Sequence, residues 1–144
     1  MKGVDVMKIE RSKRVIENYV CPNCFHQVHE CICKFYPPWQ LIMIDVNIQE
    51  VVRILNQKGY TTIGCCESHF GGNNNIYIAF NMRYDDIGLP NGFTYAKGKT
   101  NISYSFKKSE QETKEKYEEL KAEKLRALLD WAQSLPENPQ IFRR

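Results

Sequence analysis

Residues 59–80 read Gly-Tyr-Thr-Thr-Ile-Gly-Cys-Cys-Glu-Ser-His-Phe-Gly-Gly-Asn-Asn-Asn-Ile-Tyr-Ile-Ala-Phe, a polar segment between two runs of β-branched and aromatic residues. Both runs, residues 60–66 and 76–80, have the composition of β-strands. The Gly-Gly-Asn-Asn-Asn sequence at 71–75 is typical of a turn. The stretch therefore predicts a hairpin whose first strand ends at two thiols, a carboxylate and an imidazole.

The polar side chains at that strand end are the candidate ligand-binding site. Side chains on loops that a sheet holds in place remain open to a ligand, and binding residues concentrate there. We expect recognition without covalent chemistry, and we assign no residue a catalytic role. The predicted binding set in this region is Asp45, Cys65, Cys66, Glu67, Ser68 and His69.

Three other interpretations of this loop stay open. One thiol with His69 can act as nucleophile and base, and Cys65 or Cys66 with His69 can contribute to a second metal site. Alternatively, one cysteine faces the core while Glu67 and Ser68 shape the turn. Because adjacent strand residues face opposite sides of a sheet, Cys65 and Cys66 are predicted on opposite faces.

Four cysteines form a closely spaced set before this region. Cys-Pro-Asn-Cys at 21–24 is followed, after six residues, by Cys-Ile-Cys at 31–33. Two such pairs can supply four thiolates to one tetrahedral ion, the arrangement that structural zinc favours. His26 or His29 is an alternative to one sulfur. The sequence predicts a structural zinc ion bound by Cys21, Cys24, Cys31 and Cys33.

The segment before the hairpin predicts a strand and a helix. Residues 39–44 are almost wholly apolar, as in a buried central strand. Apolar residues then recur at helical spacing within 46–58. Asn47 with Glu50 is a variant of the capping box, and Gly59 is a helix stop.

The segment after the hairpin predicts two more strands and a long helix. Residues 93–96 and 102–106 flank a second hairpin turn, and residues 110–134 are amphipathic. The predicted fold class is α+β: a small zinc knuckle followed by a β-α-β-β-β-β-α domain with a mixed or antiparallel sheet covered by two helices. We expect an amino-terminal arm and zinc knuckle at 1–36 and the α+β domain, ending in the long helix, at 37–144.

Composition and charge limit the functional classes. The chain has 144 residues, 42% hydrophobic residues and a net charge of +3. No apolar run approaches the roughly 18 residues of a membrane span, and the amino terminus lacks the plan of a signal peptide. We therefore expect a cytoplasmic protein, in which six cysteines are metal ligands or free thiols rather than disulfides. The oligomeric state stays open.

Taken together, the motifs resemble a known group of proteins. These motifs are Cys-Pro-x-Cys at 21–24, Cys-x-Cys at 31–33, Leu-Asn-x-Lys-Gly-Tyr at 55–60 and Cys-Cys-Glu-x-His at 65–69. The chain is similar in them to short zinc-knuckle proteins common in Gram-positive bacteria and their phages. Members often carry glycine where this chain has Ser68, so we expect a turn that needs positive φ to be slightly rearranged in this chain. The group has no established activity, but a phage setting implies a regulatory or counter-defence protein.

The predicted function is non-enzymatic binding of a nucleotide or nucleic acid. Its contacts would come from the 65–69 loop and from a basic hairpin, where Arg83, Lys97 and Lys99 can meet phosphates. A protein interaction or inhibitor module that acts on a host protein is the first alternative. A Cys/His-dependent enzyme is the second, although no phosphate-binding Gly-Lys-Ser/Thr loop or dinucleotide fingerprint is present.

Overall fold

The computed structural model describes residues 17–33, 41–84, 87–96, 98 and 100–138. Within these ranges the chain forms six strands, two α-helices and three short 3₁₀ turns. The turns lie at Val28–Glu30, Val46–Ile48 and Lys108–Gln111. In chain order the other elements are β1 (Tyr19–Val20), β2 (Ile42–Met43), α1 (Gln49–Gln57), β3 (Thr62–Cys66), β4 (Asn75–Phe80), β5 (Thr94–Ala96), β6 (Asn101–Ser105) and α2 (Lys114–Ser134).

The main sheet has four strands in the order β3-β4-β6-β5, and every neighbouring pair is antiparallel. Along β4, Ile76, Ile78 and Phe80 are buried while the residues between them are only partly buried. This alternation is the period of two expected of a strand with one face on a core. The predicted α+β class is therefore confirmed, and its sheet is antiparallel.

Both helices contribute to the core on the buried face of the sheet. α1 buries Val51, Val52 and Leu55, and α2 buries Leu128 and Trp131. All five belong to one apolar cluster together with the buried residues of β4 and β6. The expected two-helix cover is thus present. Among the described residues, no helix combines the length and the apolar character needed to cross a membrane.

The apolar run at 39–44 is not the buried central strand that its composition predicts. Ile42 and Met43 form the two-residue strand β2, which pairs with β1 in a separate small sheet, and their exposed fractions are 37% and 69%. Residues 39 and 40 lie outside the described ranges. Only Ile44 at the end of the run is buried. The prediction is wrong because composition alone cannot say which strand a short apolar run will pair with.

The small sheet also joins the predicted amino-terminal segment to the rest of the chain. β1 lies within residues 1–36 and pairs with β2 beyond that boundary. Val20 of β1 is fully buried and is part of the same core as both helices. The four cysteines that follow β1 are therefore attached directly to the main fold.

The start of α1 differs from the predicted capping box. The helix begins at Gln49 after a 3₁₀ turn, and its cap residue makes no side-chain cap hydrogen bond. Asn47 instead donates from Nδ2 to Glu67 Oε2 at 2.7 Å. The predicted cap residue is used for a contact between distant segments. The helix stop is as predicted, with Gly59 at φ 91°.

The carboxyl end of α2 is held by the turn that ends α1. Lys58 Nζ donates to the carbonyl oxygens of Ala132, Gln133 and Leu135 at 2.6–2.8 Å. A cation is favourable there because the last carbonyls of a helix have no partner within the helix. Tyr60 OH donates to Pro136 O at 2.7 Å. The Lys-Gly-Tyr segment therefore anchors the second helix.

Candidate metal centre and the 65–69 loop

The four amino-terminal cysteines meet at one point. Cys21 directly follows β1, Cys24 lies in the next turn, and Cys31 and Cys33 follow the first 3₁₀ turn. Their Sγ atoms all lie within 4.8 Å of one another, and all four thiols are free. The Cys24 and Cys31 Sγ atoms are 3.7 Å apart. A tetrahedral zinc site with Zn–S bonds near 2.3 Å has sulfur separations of about 3.8 Å, so the cluster is compatible with a bound metal ion.

A tight backbone turn sets this geometry. Phe25 N donates to Cys21 O at 2.8 Å, and Cys21 N donates to His26 O at 3.0 Å. Phe25 has φ 59°, a conformation that non-glycine residues rarely adopt. Asn23 then donates to two of the sulfurs, from its backbone N to Cys21 Sγ at 3.4 Å and from Nδ2 to Cys33 Sγ at 3.1 Å. Such outer hydrogen bonds orient the ligands of a metal site.

The histidines considered as alternative ligands lie outside this cluster. His26 Nδ1 and His29 Nε2 each lie 3.6 Å from a carboxylate oxygen of Glu30. Neither belongs to the group of ligand atoms that the described residues bring together. Burial raises the pKa of the Cys24 thiol to about 12, with its sulfur neighbours also contributing. Because a metal binds the thiolate form, loading of this site would release the Cys24 proton.

Cys65 and Cys66 face opposite sides of the main sheet, as predicted. Cys65 pairs with Ile78 of the buried face and packs against the core, whereas Cys66 pairs with Tyr77 of the other face. Burial raises the pKa of the Cys65 thiol to about 12, and nearby Asp45 adds to the effect. Cys65 therefore has the environment of a small apolar side chain rather than of a nucleophile.

Glu67 and Ser68 lie inside the fold instead of opening towards a ligand. Glu67 is 6% exposed, and its Oε2 lies 3.1 Å from Lys121 Nζ. Ser68 is fully buried with φ 71°, so serine at this position keeps a positive φ that non-glycine residues rarely adopt. Its Oγ donates to Asn73 O at 2.9 Å and is hydrogen-bonded to Tyr117 OH at 2.8 Å. Through the ion pair with Lys121 and the hydrogen bond with Tyr117, these two residues hold the loop against α2.

Lys121 is a residue of this site that no sequence motif marks. It lies on α2 among many lysines and glutamates, and only its helical spacing, four residues after Tyr117 and seven before Leu128, places it on the buried face. Its Nζ donates to Ser68 O at 2.9 Å and is paired with Glu67. Buried lysine is rare unless the charge is paired, so its partner on a distant loop is what explains its position.

Asp45, Cys66 and His69 form a second group of potential ligands. Their ligand atoms lie within 4.8 Å of one another. Asp45 Oδ2 lies 3.2 Å from His69 Nε2 and accepts a hydrogen bond from Glu67 N at 3.1 Å. Asp45 thus comes close to the loop as expected, although β2 and β3 belong to different sheets.

Of the predicted basic contacts, only Arg83 lies within the described residues. It is exposed and follows β4, whereas Lys97 and Lys99 lie outside the described residues. The β5–β6 turn adjoins the Ala79↔Asn101 pair, whereas the 65–69 loop adjoins the Asn75↔Ser105 pair. Four residue steps separate the two pairs, about 14 Å along the strands. The loop and the basic hairpin therefore lie at opposite ends of the sheet.

Between those ends lies an open sheet face that the sequence analysis did not single out. It forms a shallow depression of about 520 Å³. The alternation of β4 and β6 could have identified it, because every second residue there is small, polar or aromatic. The lining residues are Ile63, Gly64, Asn75, Tyr77, Ala79, Ala96, Asn101, Ser103 and Ser105.

Comparisons of this chain with protein-family models, with curated proteins and with solved structures gave no significant match. The resemblance to zinc-knuckle proteins of Gram-positive bacteria and phages therefore stays a prediction.

Replacement of Lys121 by methionine should lower the free energy of unfolding by about 3 to 5 kcal/mol, because it leaves the buried Glu67 carboxylate without its cation. Denaturant titration measures the change. The exposed Lys116→Met variant on the same helix is the matched control and should stay within about 0.5 kcal/mol of the parent protein. A loss below about 1 kcal/mol for Lys121→Met would show that the pair does not hold the loop.

Cys65 should react slowly with iodoacetamide in the folded protein. With a pKa of about 12, about one thiol in ten thousand is ionised at pH 8, and the thiolate is the reacting form. Labelling followed by tandem mass spectrometry, which separates Cys65 from Cys66, should give a rate at least tenfold below that in urea. Equal rates in the two conditions would show that the fold does not suppress this thiol, and a faster rate in the folded protein would indicate an activated thiol and favour the enzyme interpretation.

Proposed function

We propose that this protein is a zinc-containing, non-enzymatic binding protein whose partner is a single-stranded nucleic acid lying across the open sheet face. The observation that carries the proposal is the form of this face: a flat row of uncharged polar side chains around Tyr77, about 14 Å long, with basic residues near both ends. Each part of the proposal rests on a separate set of contacts.

The zinc assignment rests on the four-cysteine cluster. A tetrahedral four-thiolate shell is the arrangement typical of structural zinc, and it leaves no open position for a reacting water. Cys21, Cys24, Cys31 and Cys33 would hold the ion. Its role would be structural, because β1 and β2 are short and the small sheet has little core of its own.

The nucleic-acid assignment rests on the side chains of the open face. Tyr77 lies on the central strand β4, where an aromatic ring can stack on a base. Asn75, Asn101 and Ser103 surround it and can hydrogen-bond to base edges. None of the residues that line this face is charged. The phosphates of a bound strand would therefore contact basic residues at the two ends of the face rather than the face itself.

The charged margins fit an extended ligand better than a mononucleotide. Lys107 and Lys108 follow β6 at the loop end of the sheet, and Arg83 follows β4 at the other end. Lys97 and Lys99 belong in sequence to the turn at that same end. Stacked nucleotides advance about 3.4 Å each along a strand, so a face of this length accommodates about four. A regulatory or counter-defence role in a bacterium or its phage is the setting that the sequence resemblance supports.

A protein interaction is the second candidate, and a different surface favours it. A cleft of about 530 Å³ runs between the four-cysteine segment and β3. Met43 and Ile63 on its walls are 69% and 71% exposed, and β3 is an edge strand of the main sheet. Exposed apolar side chains beside an unpaired strand edge suit the addition of a strand from a partner protein. An inhibitor of a host protein could use this cleft.

The zinc assignment predicts that Cys24→Ser lowers the zinc content by one ion per chain and the melting temperature with it, because binding to such a site supplies folding free energy. Metal analysis by mass spectrometry and thermal unfolding measure the two effects. Cys65→Ser, which removes a thiol outside the cluster, should keep the full zinc content. Unchanged zinc in Cys24→Ser would contradict the ligand set.

The nucleic-acid proposal predicts that Tyr77→Ala weakens binding of a fluorescent single-stranded oligonucleotide by about tenfold or more, since loss of base stacking costs about 1 to 3 kcal/mol. Tyr19→Ala in the small sheet is the matched control and should bind as the parent does. Lys107→Ala should reduce the dependence of affinity on salt.

Two results would distinguish the nucleic-acid proposal from the protein-interaction proposal. Absence of oligonucleotide binding at micromolar concentrations, or binding insensitive to salt, would refute the nucleic-acid proposal. If a host protein instead binds the parent chain, and Met43→Lys abolishes that complex while Tyr77→Ala does not, the cleft beside β3 is the functional surface.

A further inference from the structure

We propose that Asp45, Cys66 and His69 form a second metal site, which binds a zinc-class transition-metal ion through three protein ligands and leaves one coordination position open. This site is separate from the four-cysteine cluster. It does not depend on the identity of the partner on the open sheet face.

The separations of the three ligand atoms fit one small ion. For bonds of roughly 2.1 Å from zinc to nitrogen and oxygen, two ligands of a tetrahedron lie about 3.4 Å apart. Asp45 Oδ2 and His69 Nε2 are 3.2 Å apart, and Cys66 Sγ lies within 4.8 Å of both. The His69 side chain is 54% exposed, so a small rotation of it can complete the arrangement.

The surroundings of Cys66 repeat those of the four-cysteine cluster. Cys66 Sγ accepts from the backbone N of Ser68, two residues on, at 3.4 Å, and from Asn73 Nδ2 at 3.1 Å. In the cluster, Cys21 Sγ accepts from the backbone N two residues on at 3.4 Å, and Cys33 Sγ accepts from Asn23 Nδ2 at 3.1 Å. Two N–H donors on one sulfur hold it in place, as outer hydrogen bonds do for the ligands of a metal site.

The other two ligands are also oriented before any ion arrives. Glu67 N donates to Asp45 Oδ2, and Glu67 itself is fixed by Lys121 and Asn47. His69 N donates to Asn73 O at 2.8 Å, which closes the loop that carries the imidazole. Contacts that hold ligands in place in this way raise the affinity of a metal site.

The three donor atoms determine which metal ions the site can bind and which small ligand can occupy the open position on the ion. One thiolate, one imidazole and one carboxylate suit zinc or cobalt, whereas calcium and magnesium require oxygen ligands. Three protein ligands leave a fourth position, which in such sites takes up water or another small ligand. Exposure of His69 places that position at the surface, where an anionic oxygen such as that of inorganic phosphate can reach it.

Metal stoichiometry tests the proposal. The full chain, loaded with zinc and freed of excess metal, is weighed by native mass spectrometry. We expect two ions per chain in the parent and one in Cys66→Ser and in His69→Ala. Cys65→Ser and His29→Ala are the matched controls, and both should keep two ions. Cobalt in place of zinc should give a thiolate charge-transfer absorption that Cys66→Ser reduces but does not abolish.

A milder variant covers the case in which Cys66→Ser does not fold. Asp45→Asn keeps an oxygen that can accept from Glu67 N, yet replaces a charged ligand by a neutral one. Competition with a chromophoric chelator should show about a tenfold or greater loss of affinity at one of the two sites. One ion per chain in the parent protein, or two ions in both Cys66→Ser and His69→Ala, would overturn the proposal.

Discussion

The buried ion pair between Glu67 and Lys121 is the interaction on which the arrangement of the 65–69 loop depends. Its atoms are 3.1 Å apart, and both side chains are almost fully removed from solvent. Two charges in such a position cost several kcal/mol each in lost hydration, so they persist only when each has its partner and further hydrogen bonds. Asn47 on the carboxylate and Ser68 O on the ammonium complete that set. The pair links the end of β3, the start of α1 and the middle of α2.

The same pair has a chemical consequence at the surface of the loop. Because Glu67 and Ser68 point inwards, Cys66 and His69 on either side of them point outwards, where they meet Asp45. The backbone N of Glu67 and the backbone N of Ser68 become donors to Asp45 Oδ2 and Cys66 Sγ. A buried salt bridge thus helps to orient two outward side-chain atoms, Asp45 Oδ2 and Cys66 Sγ, without contacting either of them through its own charged groups.

The sequence predicts those features that local periodicity or spacing specifies. Ile76, Ile78 and Phe80 alternate along β4, the apolar residues of α1 recur at helical spacing, and the cysteine pairs are closely set, so the main-sheet strands, the helices and the cluster could be predicted. Partners distant in sequence could not be predicted. The partner of Lys121 is not evident from its own helix, Asn47 has the sequence context of a helix cap, and Ile42 has that of a core residue. In each case the burial and bonding of the residue depend on whether it contacts a segment distant in sequence. A single sequence does not show which distant segments are in contact.

The anchor at the end of α2 bears on how the chain acquires its fold. The contacts of Lys58, Tyr60 and Gly59 with residues 132–138 join positions 74 to 80 apart in sequence. Closing so long a loop costs conformational entropy before any contact repays it. During synthesis, the part of the core that α2 covers therefore stays uncovered until α2 has left the ribosome, whereas α1 has emerged well before it.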